Sequence, residues 1–409
     1  MKSVSDPSPN KTRFGGSDMV PLALRTLVAV SLCALVAMPS AFAADDKDVR
    51  RGPGSTQNNP LAGLEIRPGS EAPTMASLER GLAFLAKEQA RLSTGALPTS
   101  KGENHAPIGV TSLAALAWIG GGSSLTRGPH HTELSLAIDY LLSCQIKDGE
   151  AKGYFAHTTD QRSQTHGHGL ATLALAQAFT ISPRSAKGAQ IKEALKLACD
   201  RIIAAQGVDG GWYYDPKPTV QQEGSVTVAL VWALRGAKDA GITVDAAPIH
   251  RAIAYVKTLQ DKTGGFQYSA SRPRTSVALT AAALSTLHAT GTYAGPEIDA
   301  GYDYIWRSLT DRELKVERGQ DVALPFPFYE RLYLAQALYQ HKDLTHFTRW
   351  SRTQRATLLR TQTPDGHWPD TRTGPSGVEI KSQYGTSYST AVNCLFLTIP
   401  HSTLPIFMR

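Results

Sequence analysis

Residues 206–212 read QGVDGGW, and after a polar loop residues 226–234 read VTVALVWAL. The first stretch is a glycine-rich turn closed by an aromatic. The second is apolar nearly all round, and a helix of that kind has to be buried on every side. The same pair recurs along the chain. Turns read QIKDGEAKGYF from Gln145, QDKTGGF from Gln260 and QTPDGHW from Gln362, with a weaker copy, EQARLSTGAL, from Glu88. Apolar helices follow as LATLALAQAF from Leu170 and SVALTAAALSTL from Ser276. Taking Gly95, Gly153, Gly211 and Gly265 as markers, the spacing is 58, 58 and 54 residues, and Gly366 lies 101 further on, about two periods. The absent copy falls at 310–319, TDRELKVERG, which lacks the Gly-aromatic signature. Six repeats of about fifty-five residues fit the chain.

Before each turn stands a helix of the other kind. Ile191, Ala194, Leu195, Ala198 and Ile202 fall on one face of a 3.6-residue helix. Leu134, Ala137, Ile138 and Leu141 do the same, as do Ile249, Ala252, Ile253 and Val256. Six half-apolar helices alternating with six fully apolar ones have one economical arrangement, a double ring with the apolar set inside. Stacked repeats that cannot bury their faces alone then close into a toroid. The predicted fold is all-α, a six-hairpin α/α toroid over 75–409. The rival is an open superhelix of helix pairs, whose period is usually nearer 34–47 residues.

The Gln-x-x-x-Gly-x-Trp/Phe turns, each followed by an inner helix, resemble the repeats of the squalene-cyclase and protein-prenyltransferase superfamily over about 75–400, most clearly in QGVDGGW. The resemblance implies a structural role for Gln206, Gly211 and Trp212, with Gln tying the end of the outer helix and the aromatic packing between neighbours. The superfamily's reactive motifs do not carry over. The Asp-x-Asp-Asp-Thr acid string of class II cyclases is missing from the helical region. No cysteine has Asp two residues before it, as the prenyltransferase zinc site requires, and the Cys-Gly-Glu-Gln thioester string of complement-type domains is missing too. No metal or cofactor is expected.

Ahead of the repeats, Thr26–Met38 is 13 uncharged residues, TLVAVSLCALVAM, preceded by Arg25 and followed by Ala41-Phe42-Ala43. A helix of that length reaches about 20 Å, short of a hydrocarbon core of about 30 Å. The segment 1–43 reads as a signal peptide cleaved after Ala43, an uncleaved anchor being the alternative, and directs the chain to the periplasm or beyond. Residues 44–74 are rich in Gly, Pro, Ser and Asn and read as a flexible, disordered tether. After cleavage 38 basic residues face 33 acidic ones, a surplus of +5 with no basic run, so nucleic-acid binding is excluded as a function class. Cys144, Cys199 and Cys394 sit in apolar, helical surroundings and read as buried free thiols, with one disulfide plus one thiol the alternative.

All six inner helices are expected to start at one mouth of the ring, with an apolar bore below. The catalytic candidates lie at those starts. His157, Asp160, His166 and His168 come from the second repeat, where the two-residue spacing of His166 and His168 suits a loop better than one helix face. Glu223 and Glu330 stand before or in inner helices and become acids if apolar walls raise their pKa, or simply serve helix N-termini. Asp215 and Asp365 read as turn formers. Tyr329, Tyr333, Trp232, Tyr384 and Tyr388 are expected to line a ligand cavity, Tyr388 also being a catalytic candidate. The tail 401–409, HSTLPIFMR, is expected to fold back across the ring. Three functions follow: a toroid binding an isoprenoid or other apolar ligand, a non-catalytic interaction scaffold, and a glycan-active lyase or hydrolase on an α/α barrel. Catalysis stays open; if present it is expected to be terpenoid cyclase- or transferase-like without the Asp-x-Asp-Asp acid motif, and the oligomeric state is undetermined.

Overall fold

The computed structural model describes residues 71–100, 105–160, 163–320, 322, 324–373, 379–381, 384–401 and 404. The leader 1–43, the cleavage point after Ala43 and residues 44–70 of the tether lie outside the described residues. The remainder of the predicted tether is helical. Helix α1 (Ala72–Gln89) starts there because Pro73 suits a first turn, where its missing N–H costs nothing, and Thr74 and Ser77 are buried.

Outer helices α1, α3 (His131–Ser143), α5 (Gly188–Ala204), α7 (Ala246–Thr258), α9 (Pro296–Glu317) and α11 (Leu344–Thr361) alternate with inner ones. The inner set is α2 (Pro107–Gly120), α4 (Gln164–Ile181), α6 (Gly224–Asp239), α8 (Val277–Ala289), α10 (Pro327–Gln340) and α12 (Thr386–Thr398). Each inner helix contacts the next, and α12 contacts α2, so the ring closes and the open superhelix is ruled out. Every residue of α2 is buried, as the all-round apolar pattern requires. Each outer helix leans on the inner helix that precedes it, and α1 leans on α12. Two short antiparallel hairpins, β1 (Gln267–Ser269) with β2 (Arg272–Thr275) and β3 (Thr371–Thr373) with β4 (Glu379–Lys381), decorate the loops before α8 and α12. Leu404 of the tail is buried beside Gly120 of α2; residues 405–409 lie outside the described residues. The three cysteines are free, Cys199 and Cys394 buried.

The repeated glutamine is the rivet between neighbouring hairpins. The Gln89 amide donates to Gly95 O (2.8 Å) and to Glu133 O of α3 (3.0 Å). Gln145 likewise joins Gly153 and Ala194 of α5, Gln206 joins Gly210 and Pro248 of α7, and Gln260 joins Gly264 and Glu297 of α9. Gln362 joins Gly366 to Ser77 of α1, which rivets the last repeat to the first. Each helix carbonyl accepts with its second lone pair, so no ladder bond is lost. The glycine that turns left-handed in each rivet is Gly95, Gly153, Gly210, Gly264 or Gly366, so the expected markers Gly211 and Gly265 are displaced by one position. Trp212 and Trp368 close the motif, their indole N–H groups donating to Ile202 O (2.8 Å) and Leu358 O (2.9 Å).

Gln362 is the rivet between the last repeat and the first. Its Oε1 also accepts from Ser77 Oγ (2.7 Å) and Arg80 Nη2 (2.6 Å). Gln362→Ala is expected to cost about 2–3 kcal/mol, from three part-buried bonds at about 1 kcal/mol each and an exposed one worth less. A urea midpoint unchanged from that of the parent protein refutes this.

The fifth repeat departs from the others. Helix α9 runs 22 residues, through most of the stretch where a turn would stand, and neither glutamine nor glycine rivets it to α11.

Candidate functional site

In each riveted repeat the backbone N–H of the residue that closes the turn donates a hydrogen bond to the inner helix. Leu97 N donates to Thr111 Oγ1, Trp212 N to Thr227, Phe266 N to Thr280 and Trp368 N to Thr390, at 2.9–3.2 Å. In the second repeat Phe155 N donates instead to His168 Nδ1 (3.1 Å). His168 therefore stands where the other repeats have threonine, and its task is structural. Both it and His166 lie on α4, not in a loop, and point to opposite sides of that helix. Burial holds both imidazoles neutral, their pKa values pressed down to about 3.

His166 faces the next repeat. Its Nε2 meets Ser225 Oγ (3.4 Å), and that hydroxyl bonds both Glu223 oxygens (2.9 and 2.8 Å). Glu223 is the N-cap of α6, accepting from Ser225 N (2.8 Å) and Val226 N (2.6 Å), and is 0% exposed. Desolvation raises its pKa to about 7 against the pull of these donors and of the Tyr214 hydroxyl. The Tyr214 hydroxyl also meets the Tyr268 hydroxyl of β1 at 3.0 Å. A polar string thus runs His166, Ser225, Glu223, Tyr214, Tyr268, from the second repeat to the fourth. Tyr214, Ser225 and Tyr268 were not among the expected catalytic residues. The Glu-Gly-Ser start of α6 is the sequence signal that marks one of them.

Tyr268 opens on a cavity of about 990 Å³ at the mouth, bounded by Val277, Ala278 and Leu279 of α8, Phe326 and Tyr329 at the start of α10, and the far end of α9. Its charged rim holds Arg274, Asp311, Arg312, Lys315 and Glu330. Glu330 is taken up in a two-pronged ion pair with Arg312 (Nη2 to Oε2, 3.1 Å), and Asp311 pairs with Lys315 at 2.6 Å. Neither carboxylate is a free acid.

The aromatics expected along the bore are buried. Trp232, Tyr329, Tyr333, Tyr384 and Tyr388 are 0–2% exposed and touch one another in tilted or edge-on pairs such as Tyr329–Tyr333 (4.5 Å) and Tyr384–Tyr388 (5.3 Å). Trp232 donates its indole N–H to Thr286 Oγ1 (2.7 Å). These five were expected to wall an open cavity; of them only Tyr329 borders the mouth cavity. Tyr388, nominated for catalysis, is likewise interior and edge-on to Phe328 (5.7 Å). Asp160 accepts from Ser163 N (2.9 Å), a local capping role, and His157 bonds Thr159 in the exposed loop. Asp365 bonds Thr363 and His367 within its turn. Among the described residues no three His, Cys, Asp or Glu side chains converge as a metal would need, and no helix is long and apolar enough to cross a membrane.

No family model matches the chain, and no curated protein does. Solved structures do. A type II terpene cyclase from Scytonema is 17% identical, covering 81% of this chain and 99% of its own, with a TM-score of 0.51. A variant of that cyclase in complex with its substrate, geranylgeranyl dihydroxybenzoate, is 15% identical over 81% and 98%, at 0.50. A family 76 glycoside hydrolase from a bovine Bacteroides thetaiotaomicron strain is 9% identical over 81% and 79%, at 0.58. At these identities the likeness shows a shared α/α toroid and no more.

Proposed function

We propose that the protein binds an isoprenoid or other apolar small molecule in the mouth cavity, and that it does so after export. The observation that carries the reading is the cavity of about 990 Å³ with Val277, Ala278, Leu279, Phe326 and Tyr329 on its wall. That size lies at the upper end of the roughly 300–1,000 Å³ of ligand pockets. The prenylated substrate held by a cyclase of the same fold supports it. The uncharged segment 26–38 with Ala41-Phe42-Ala43 supports export.

Binding is favoured over cyclisation by the geometry of Glu223. A general acid must reach the atom it protonates. The Glu223 oxygens are spent on Ser225 and Val226, and Glu223 is not on the cavity wall. Glycoside hydrolysis would call for two carboxyl groups free to flank a bond, whereas Asp311 and Glu330 are each held by a cation.

Titration of the purified protein with geranylgeraniol, followed by native mass spectrometry, tests the reading. One molecule is expected to bind, and Ala278→Trp, which fills the cavity from its wall, is expected to weaken binding at least tenfold. Equal binding by that variant, or turnover of a mannan oligosaccharide in place of binding, overturns it.

A further inference from the structure

The unriveted fifth repeat leaves a second cavity, about 700 Å³, on the flank between α9 and α11, with α10 as its floor. The Arg312–Glu330 pair separates it from the mouth cavity, both residues bordering each space. On its floor lies Arg331. The guanidinium is held by Asn393 Oδ1 of α12 (2.5 Å) and Gln354 Oε1 of α11 (3.3 Å), both neutral. Neighbouring Glu330 is occupied by Arg312, and among the described residues no carboxylate bonds Arg331. Burial lowers its pKa to about 10, which leaves it charged at neutral pH.

With two of its five donors used and the adjacent carboxylate, Glu330, bonded to Arg312, the guanidinium has donors to spare. Its apolar wall and a second arginine suit a molecule with one anionic end. Trp306, Trp350 and Leu334 line it with apolar surface. Arg349 stands exposed at the rim with no ionic partner among the described residues. Glu313 and Glu317, both exposed, line its α9 side.

We propose that the flank cavity is a binding site for a single-headed anionic amphiphile, its carboxylate or phosphate monoester on Arg331 and its chain along the tryptophans. An arginine fork matches either head group in two parallel bonds. The site stands on observations separate from those for the mouth, and neither reading needs the other.

Calorimetric titration of the delipidated full chain tests it with dodecanoate, dodecyl phosphate, dodecanol and inorganic phosphate. Dodecanoate or dodecyl phosphate is expected to bind one to one, and whichever binds more tightly identifies the head group. Dodecanol is expected to bind at least tenfold more weakly, and inorganic phosphate alone not measurably. Arg331→Gln keeps hydrogen-bonding capacity without charge and is expected to weaken binding at least tenfold. Arg349→Gln, at an exposed position that cannot disturb folding, is expected to weaken it a few-fold. Excess geranylgeraniol is expected to leave dodecanoate in place. Dodecanol binding as tightly as dodecanoate, parental affinity in the arginine variants, or displacement by geranylgeraniol overturns the proposal.

Discussion

Gly153→Ala is expected to destabilise the protein by about 4 kcal/mol or more, while Gly149→Ala, four residues earlier in the same turn, costs about 1 kcal/mol. Both glycines have left-handed backbones, at φ +88° and +75°. An L side chain there costs about 1–2 kcal/mol, partly offset by the stiffer unfolded chain. At Gly149 nothing else is at stake, because a Cβ would meet no atom within 4 Å. At Gly153 it would sit 2.2 Å from Leu197 O and 2.6 Å from its carbonyl carbon, both backbone of α5. Relief would mean lifting the turn from α5, and that breaks the Gln145 bonds to Gly153 and Ala194. The same geometry recurs, with Gly95 against Leu136 O, Gly210 against Arg251 O, Gly264 against Ala300 O and Gly366 against Arg80 O. Each carbonyl lies three residues beyond the one its glutamine holds. A domain stabilised by about 5–15 kcal/mol would lose about a quarter or more to one methyl group. Urea melts of the two variants decide it. Equal midpoints would show that the close approach is not what makes this glycine necessary.

That contact explains how far the sequence could be read. The Gln-Gly-aromatic turns and the two helix types are local patterns repeated many times, and both ring and rivets follow from them. Which of two adjacent glycines turns left-handed is not a local matter. In QGVDGGW both Gly210 and Gly211 are crowded, one by Arg251 O and the other by the Tyr255 ring, and only the approach of α7 decides. His168 was hidden by loop length. Its threonine counterparts Thr111, Thr227, Thr280 and Thr390 follow their turns at different distances, so the shared task shows only once Phe155 N is seen to bond it. The packing of the inner aromatics was illegible for a third reason. An apolar inner wall is compatible with aromatics that line a space or pack on one another, and the contacts of Trp232 with Tyr333 and of Tyr384 with Tyr388 show the packing. Arg331 and Arg312 went unnoticed because their surroundings depend on α9 running past its expected end.

Acid is expected to unfold the protein through two histidines, and a threonine at one of them is expected to flatten the response. His166 and His168 are neutral inside the ring, with pKa values lowered to about 3 from an ordinary 6.5. Below pH 6.5 the unfolded chain takes up their protons and the folded chain does not, so their contribution is complete above that pH and is lost as pH falls toward 3. By pH 4 the loss is about 3 kcal/mol each, at about 1.4 kcal/mol per unit. Glu223 acts in the opposite sense. Its pKa is raised to about 7 from 4.5, so burial of its charge penalises the folded state above pH 7 and the penalty fades as pH falls toward 4.5. That relief is worth about 3 kcal/mol between pH 8 and pH 4. These three groups together should cost the parent protein about 3 or 4 kcal/mol over that interval. His168→Thr keeps an acceptor for Phe155 N and removes one of the two histidine terms, so its profile between pH 8 and pH 4 should be nearly flat, whatever the smaller side chain costs at pH 8. Glu223→Gln removes the opposing term and should steepen the loss to about 7 kcal/mol. Urea unfolding at half-unit pH steps measures all three curves. Parallel curves for the parent and His168→Thr proteins would mean that His168 is protonated in the folded ring, and the structural role assigned to it as a buried neutral acceptor would fall with that result.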